Sequence, residues 1–153
     1  MSAGTDRLME FLSCEGYRPS LEPTGMVHFK HEGGFYMVRL DPDDDQYVSI
    51  AYQNFWQLRS PEERTRALRA ASQATYAIKV AKVVVLEGHD NVWAQADLFV
   101  EGPEQLEAVF ARVLGAIRAG VSEFVQLMRA SEPLGDERIT LRREEITRFQ
   151  HGN

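Results

Sequence analysis

A chain of 153 residues with 44% hydrophobic and 26% charged side chains is long enough to bury one core without cross-links and too apolar to remain disordered. Its net charge of −6 argues against the sequence-independent phosphate attraction that most nucleic-acid binders use. The one cysteine, Cys14, excludes an internal disulfide, a thiolate zinc site and a CxxC redox pair.

The start, MSAGTDRLMEF, lacks the basic and then apolar build of a signal peptide, and no stretch approaches the ~20 apolar residues of a membrane span. A soluble, cytoplasmic protein is the expectation. Charge is uneven: residues 1 to 58 carry 4 basic and 9 acidic side chains, whereas residues 59 to 82 carry 6 and 2. That basic segment reads first as one solvated helix face and second as a strip for an acidic partner.

In chain order, Thr5 is placed to cap a first helix with Leu8, Phe11 and Leu12 on its apolar face. Gly16 followed by Tyr17 reads as a C′ glycine with its hydrophobic contact. RPSLEPTG, residues 18 to 25, reads as a loop. Three stretches rich in β-branched and aromatic residues follow: MVHFKH (26 to 31), FYMVRL (35 to 40) and QYVSIAYQNF (46 to 55). Gly33-Gly34 and LDPDDDQY separate them, which predicts a three-stranded antiparallel meander.

Pairing Glu32 with Phe35 and Leu40 with Gln46 collects Val27, Phe29, Tyr36, Val38, Leu40, Val48, Ile50 and Tyr52 on one face, the expected core face. The opposite face mixes His28, Lys30, Arg39 and Ser49 with Met26, Phe35, Met37 and Tyr47. The aspartates between the strands, Asp41, Asp43, Asp44 and Asp45, imitate the start of a calcium loop. However, Gln46 stands where glycine is needed and Tyr52 where a bidentate glutamate belongs. They therefore read as a hairpin tip.

SPEE, residues 60 to 63, predicts a helix start with Ser60 as N-cap, Pro61 at the first position and Glu63 reaching back as a capping box. Leu68, Ala71, Thr75 and Ile78 would face inward, with Arg64, Arg66 and Arg69 turned outward. AKVVVLE (81 to 87) and NVWAQADLFV (91 to 100) then form a hairpin around Gly88-His89-Asp90. Leu86 is expected opposite Trp93, Val84 opposite Gln95 and Lys82 opposite Asp97.

This alternation sorts Val83, Val85, Ala94, Ala96 and Leu98 onto one face and Val84, Leu86, Trp93 and Phe99 onto the other. Both faces are apolar, which implies a second layer or a second chain. Gly102, Pro103 and Glu104 open a long helix to residue 129, in which Gly115 and Gly120 mark a bend or a close approach. Residues 1 to 130 form the expected domain. Residues 131 to 153, interrupted at Pro133 and Gly135, read as a tail, either a short helix or an arm on a partner.

Catalytic and metal motifs are missing from the sequence. His28 and His31 point to opposite faces of a strand, His89 sits in a turn, and Cys14 has no identifiable base. No HExxH, GxSxG, GxxxxGK[ST] or GxGxxG occurs. No catalytic, metal or cofactor residue is assigned, and none of these groups is expected.

The element order α-β-β-β-α-β-β-α resembles that of type III secretion chaperones and of the YbjN-like family, labelled bacterial sensory transduction regulators. FLSCEGY (11 to 17), HEGGFYMVRL (31 to 40), KVAKVVVLEGHDNVWAQADLFVEG (79 to 102) and LEAVFARVLGAIRAGVSEFVQLM (106 to 128) carry the resemblance. It implies an α+β domain with a mostly antiparallel five-stranded sheet and three helices. By the same likeness it implies a non-enzymatic homodimer that binds a partner protein or peptide, without nucleic acid or membrane.

The expected dimer contact is Val84, Leu86, Trp93 and Phe99. The expected partner surface is Phe35, Met37 and Tyr47 together with Arg64, Arg66 and Arg69. The alternative is a small-molecule sensor or enzyme using a pocket between the long helix and the sheet, which would show as His31, Tyr36 or Tyr52 converging with a carboxylate in a closed cavity.

Overall fold

The computed structural model describes residues 2–133. Helix α1 (Ala3–Cys14) precedes strands β1 (Ser20–Leu21), β2 (Val27–His31), β3 (Gly34–Asp41) and β4 (Asp44–Gln57). Helix α2 (Pro61–Ala77), strands β5 (Lys82–Val85) and β6 (Asn91–Phe99), and helix α3 (Pro103–Ala130) follow. All strand pairs are antiparallel, in the order β1-β2-β3-β4-β6-β5. The sheet has six strands rather than five: Ser20 and Leu21, inside the expected loop, pair with His28 and Val27.

Helix α1 begins at Ser2, whose Oγ accepts the Thr5 amide, so Ser2 rather than Thr5 is the cap, and Thr5 is buried. At its other end the Tyr17 amide donates to the Leu12 carbonyl and the Gly16 amide to that of Ser13. Gly16 has φ +92°, and this is the expected glycine-terminated helix end. Cys14 is exposed beside it.

The first turn of the meander is displaced by one residue from expectation and the second is tighter. Glu32 and Gly33, both with positive φ, form a two-residue turn, so His31 pairs with Gly34 and Val27 with Val38. At the aspartates the Asp43 amide donates to the Asp41 carboxylate and the Gln46 amide to that of Asp44. These aspartates are turn formers, and a bulge after Leu40 sets Leu40 opposite Val48. Both registers differ from expectation by two residues. Because side chains alternate with period two, the predicted core face survives intact. Val27, Phe29, Tyr36, Val38, Val48 and Ile50 are buried, and Leu40 and Tyr52 pack against them.

On α2, Ser60 accepts the Glu63 amide as predicted. Glu63 reaches one residue further back, to the Arg59 amide at 2.7 Å, and also accepts the Trp56 indole N–H. The inward stripe matches expectation in part. Ala67, Ala70, Ala71 and Ala74 are buried and Ile78 packs against the core, whereas Leu68 is exposed and Thr75, half-buried, accepts the Val83 amide. Small alanines let α2 lie close to α3 and β5, a choice that periodicity of large side chains does not reveal.

In the second hairpin Val84 pairs with Trp93 and Lys82 with Gln95, again two residues from the expected register. Lys82 still meets Asp97, diagonally, at 2.8 Å. Helix α3 lies on the core face, burying Phe110, Ile117, Phe124 and Met128. Gly120 marks a close approach, since a Cβ there would lie 2.8 Å from Ile78 Cδ1; Gly115 has open space. The expected arm at residues 131–153 falls, from 134 onward, outside the described residues.

Candidate functional site

The helices pack on the side of the sheet that carries Val83, Ala94 and Tyr36. On the other side, no element among the described residues covers the strands. Cross-strand pairing arranges this outer face in rows: His28, Met37, Ala51, Gln95 and Lys82 form one, Arg39, Ser49 and Asp97 another, and Tyr47 and Phe99 a third. Of the two coverings expected for the second face, another layer of the domain is absent among the described residues: one face is covered and the other is open.

The outer face is uneven. Phe35 and Phe99 are 45% and 80% exposed, while Met37, Ser49 and Ala51 in the middle rows are buried. Taller neighbours shield these short central side chains. Phe35 stacks on His28 with ring centroids 5.1 Å apart, and His28 Nε2 lies 2.7 Å from a Glu22 carboxylate oxygen. Gln53 reaches the Met37 sulfur at 3.2 Å.

Polar pairs divide the apolar residues. Trp93 donates its indole N–H to Asn54 Oδ1 at 2.7 Å, and Asn54 holds a left-handed φ of +49° where β4 bulges between Tyr52 and Trp56. Burial alone would raise the Asp97 pKa, but hydrogen bonds from Lys82 and Ser49 outweigh it and hold the carboxyl below its ordinary value.

The two groups of residues singled out in the sequence share this face. Tyr47 pairs directly with Phe99, their rings 6.0 Å apart, so the expected partner surface and the expected dimer contact adjoin. Val84 and Trp93 lie further along, and Leu86 sits just beyond β5 at the hairpin turn. The arginines lie elsewhere. Arg64 donates to the Leu86 and His89 carbonyls, clamping that turn, and Arg66 donates to the Met128 carbonyl at the end of α3. Arg69 is exposed. Only Arg69 of the three keeps its guanidinium out of these backbone contacts, and a count of charges could not show this.

Inside the core face, His31, Tyr36 and Tyr52 do converge. The Tyr36 ring lies 4.9 Å from Tyr52 and 6.0 Å from His31, and Glu32 is 3.9 Å from His31. Burial first, then Tyr52 and Tyr17, pushes the Tyr36 pKa far above its ordinary value. Burial and the charge of Arg118 lower that of His31. However, Glu32 is half exposed and ion-paired with Arg118, and the rings fill the space between them. Gly34 permits this packing, since a Cβ there would lie 2.6 Å from the Tyr52 ring. Among the described residues no three His, Cys, Asp or Glu side chains gather as a metal ion would need, and no helix is long and apolar enough to cross a membrane.

A second region lies where the alternative expectation put a pocket, between the long helix and the sheet, although the sequence pointed to none of its lining residues. A cleft of about 750 Å³ runs beside α3, between its Val109, Val113 and Ala116, the end of β6 at Leu98, and Ile78 and Val80 after α2. Its signal in the sequence is faint: Val109 and Ala116 belong to the apolar stripe of α3 but lie at its edge.

The fold so defined is an α+β layer, six antiparallel strands with helices on one face. No protein-family model and no curated protein matches the chain. Several solved chains share the architecture, two of which align as follows. An uncharacterized protein from Methanothermobacter thermautotrophicus aligns with TM-score 0.57 and 12% identity, covering 84% of this chain and 99% of that one. YbjN from E. coli, a proposed transcription regulator, aligns with TM-score 0.57 and 16% identity, covering 82% of this chain and 89% of its own. The resemblance to the YbjN-like fold drawn from the sequence holds at the level of architecture.

Proposed function

We propose that the protein is a non-enzymatic binding module, chaperone-like or regulatory, that acts as a homodimer and engages a partner protein or peptide through the outer face of its sheet. The observation that supports this reading is an antiparallel sheet that, among the described residues, has helices on one side only and carries Phe35 and Phe99 on the other. Exposed aromatics beside a shielded centre and fixed polar pairs are the composition of a recognition surface rather than of a solvated one. In this reading Val84, Leu86, Trp93 and Phe99 form the dimer contact, and Phe35, Met37 and Tyr47 meet the partner, while Arg69 on α2 lies on the other side of the sheet and takes no part in that surface.

Because Tyr47 and Phe99 touch, a dimer that covers Phe99 also shields Tyr47, and the partner then binds at the Phe35 end. Sedimentation of the wild type and of Trp93→Glu tests the dimer. A wild-type dimer and a folded monomeric variant are expected. A wild type that is already monomeric, or a variant that remains dimeric, overturns the assignment.

The small-molecule reading has one observation in its favour, the cleft beside α3, with its largely aliphatic walls. The His31, Tyr36 and Tyr52 cluster does not serve it, since those rings pack against one another.

A further inference from the structure

At the end of β6 the strand outruns its edge neighbour, as β2 outruns β1 at the opposite edge of the sheet. Strand β5 starts at Lys82, opposite Gln95, so β6 continues through Ala96–Phe99 without a partner on that edge among the described residues. Hydrogen-bond direction follows from the flanking contacts. The Leu86 amide donates to the Asn91 carbonyl, and the Val100 amide donates to the Gln46 carbonyl of β4. Odd-numbered residues of β6 thus aim their backbone groups towards β5 and even-numbered ones towards β4. Asp97 and Phe99 therefore present their N–H and C=O groups to the open edge.

The chain could have continued β5 along this edge, but it turns away. Val80 has a left-handed φ of +67°, costly for a β-branched residue, and the Ala81 amide closes a three-residue turn onto the Lys79 carbonyl at 2.6 Å. The diversion leaves the apolar cleft open against the bare edge, with Leu98 in its floor and Val109, Val113 and Ala116 along one wall. A backbone edge beside an apolar groove fits an extended polypeptide, whose amides pair while alternate side chains enter the groove.

We propose that this polypeptide is the chain's own tail, with Ile139-Thr140-Leu141 adding to the edge of β6. Three observations favour it over a foreign peptide. The first is reach. Helix α3 ends at Ala130, about 10 Å along its axis from Glu123 at the mouth of the cleft, and the tail that follows can span several times that distance. The second is pattern: paired as proposed, RITLR would put Ile139 and Leu141 on one side and Arg138, Thr140 and Arg142 on the other.

The third is charge order. Glu123 and Arg112 line the cleft about 16 Å apart along α3, with Lys79 across from them, and none has an ion pair among the described residues. Arg138 precedes and Glu144 follows the apolar pair, about 20 Å apart when extended. A tail entering at Glu123 sets Arg138 against that carboxylate and Glu144 near Arg112 and Lys79. Tethering raises the local concentration of the segment, so a short pairing suffices. The inference does not depend on what binds the outer face.

Amide hydrogen exchange of the full chain tests it, comparing the wild type with Ile139→Asp/Leu141→Asp. The Asp97 and Phe99 amides are expected to exchange at least about tenfold faster in the variant, while β4 amides are unchanged. The charge-reversed Glu123→Lys should show the same loss, and Glu123→Lys combined with Arg138→Glu should recover protection. Equal exchange of Asp97 and Phe99 in wild type and tail variant overturns the proposal. So does protection that disappears on dilution, which would place the tail of a second copy on the edge.

Discussion

The two faces of the sheet are built by the same strands from alternate residues of one sequence, yet they obey different rules. On the helix-covered face Val27, Phe29, Tyr36, Val38, Val48 and Ile50 are buried because α1 and α3 lie over or beside them. On the open face Ala51 is as hidden as those and Met37 is nearly so, but they are sheltered by lateral neighbours such as Phe35, Gln53 and Gln95 rather than by a layer. Burial by a layer couples a residue to the whole fold, whereas burial by neighbours couples it to a patch. A patch can later be covered by something else, which makes the open face suited to binding.

Two phenylalanines of one hairpin put the contrast to the test. Phe29 is 2% exposed and touches Tyr17, Tyr36 and Phe110, so Phe29→Ala is expected to cost about 3–5 kcal/mol. Phe35, six residues on, stacks only on His28 among aromatic partners, and Phe35→Ala should cost less than about 1 kcal/mol. Urea denaturation of both variants reads the difference. Similar losses would mean that the open face is already part of the folding unit in the way the core face is.

Gly34→Ala sharpens the comparison from the backbone side. The added methyl would meet the Tyr52 ring at 2.6 Å and the Tyr36 ring at 2.9 Å, both held inside the aromatic cluster. Overpacking there should cost about 1–3 kcal/mol. Gly120→Ala meets the mobile end of Ile78 and should cost less, although both glycines are buried among apolar groups. Thermal melts of the two variants rank them.

Tyr36 adds a pH signature. Its pKa is raised in the folded state, so its contribution is complete below the ordinary tyrosine value of about 10 and declines as pH rises above it. Tyr36→Phe should flatten the alkaline loss of stability seen in urea midpoints between neutral and strongly basic pH. An unchanged alkaline slope would show that Tyr36 ionises as freely folded as unfolded.

The core face was legible from the sequence because period-two alternation tolerates a register error of two, and both hairpins contained such an error. Turn geometry was less so: nothing in LDPDDDQY announced that a bulge would shift Leu40 from Gln46 to Val48. Helix α2 misled by carrying its large residues, Leu68 and Tyr76, on the outside and alanines within. Strand β1 was missed because two residues give no periodicity. The sequence suggested a pocket between the long helix and the sheet but not its lining, because the cleft arises where β5 starts late relative to β6, a property of pairing and not of either strand. Arg64 and Arg66 looked like surface charge because their carbonyl acceptors, at Leu86, His89 and Met128, are distant in the chain.

The smallest expected effect lies in the polar row of the open face. Asp97 titrates below its ordinary value in the folded chain because Lys82 and Ser49 hydrogen bonds outweigh the opposing effect of burial. The sign follows directly: a depressed folded pKa contributes stability above the unfolded value of about 3.9, and that contribution is lost as pH falls further towards the folded value. Lys82 is half exposed, so water screens the pair and Lys82→Met should cost less than about 1 kcal/mol at neutral pH. The variant should also move the Asp97 carboxyl titration, followed by NMR, upward towards the ordinary range. An Asp97 midpoint that does not move would assign its depression to Ser49 and the neighbouring Gln95 instead. The row would then be held together within β4 and β6 alone, leaving β5 attached to this face by the Val84–Trp93 pairing and the Arg64 clamp.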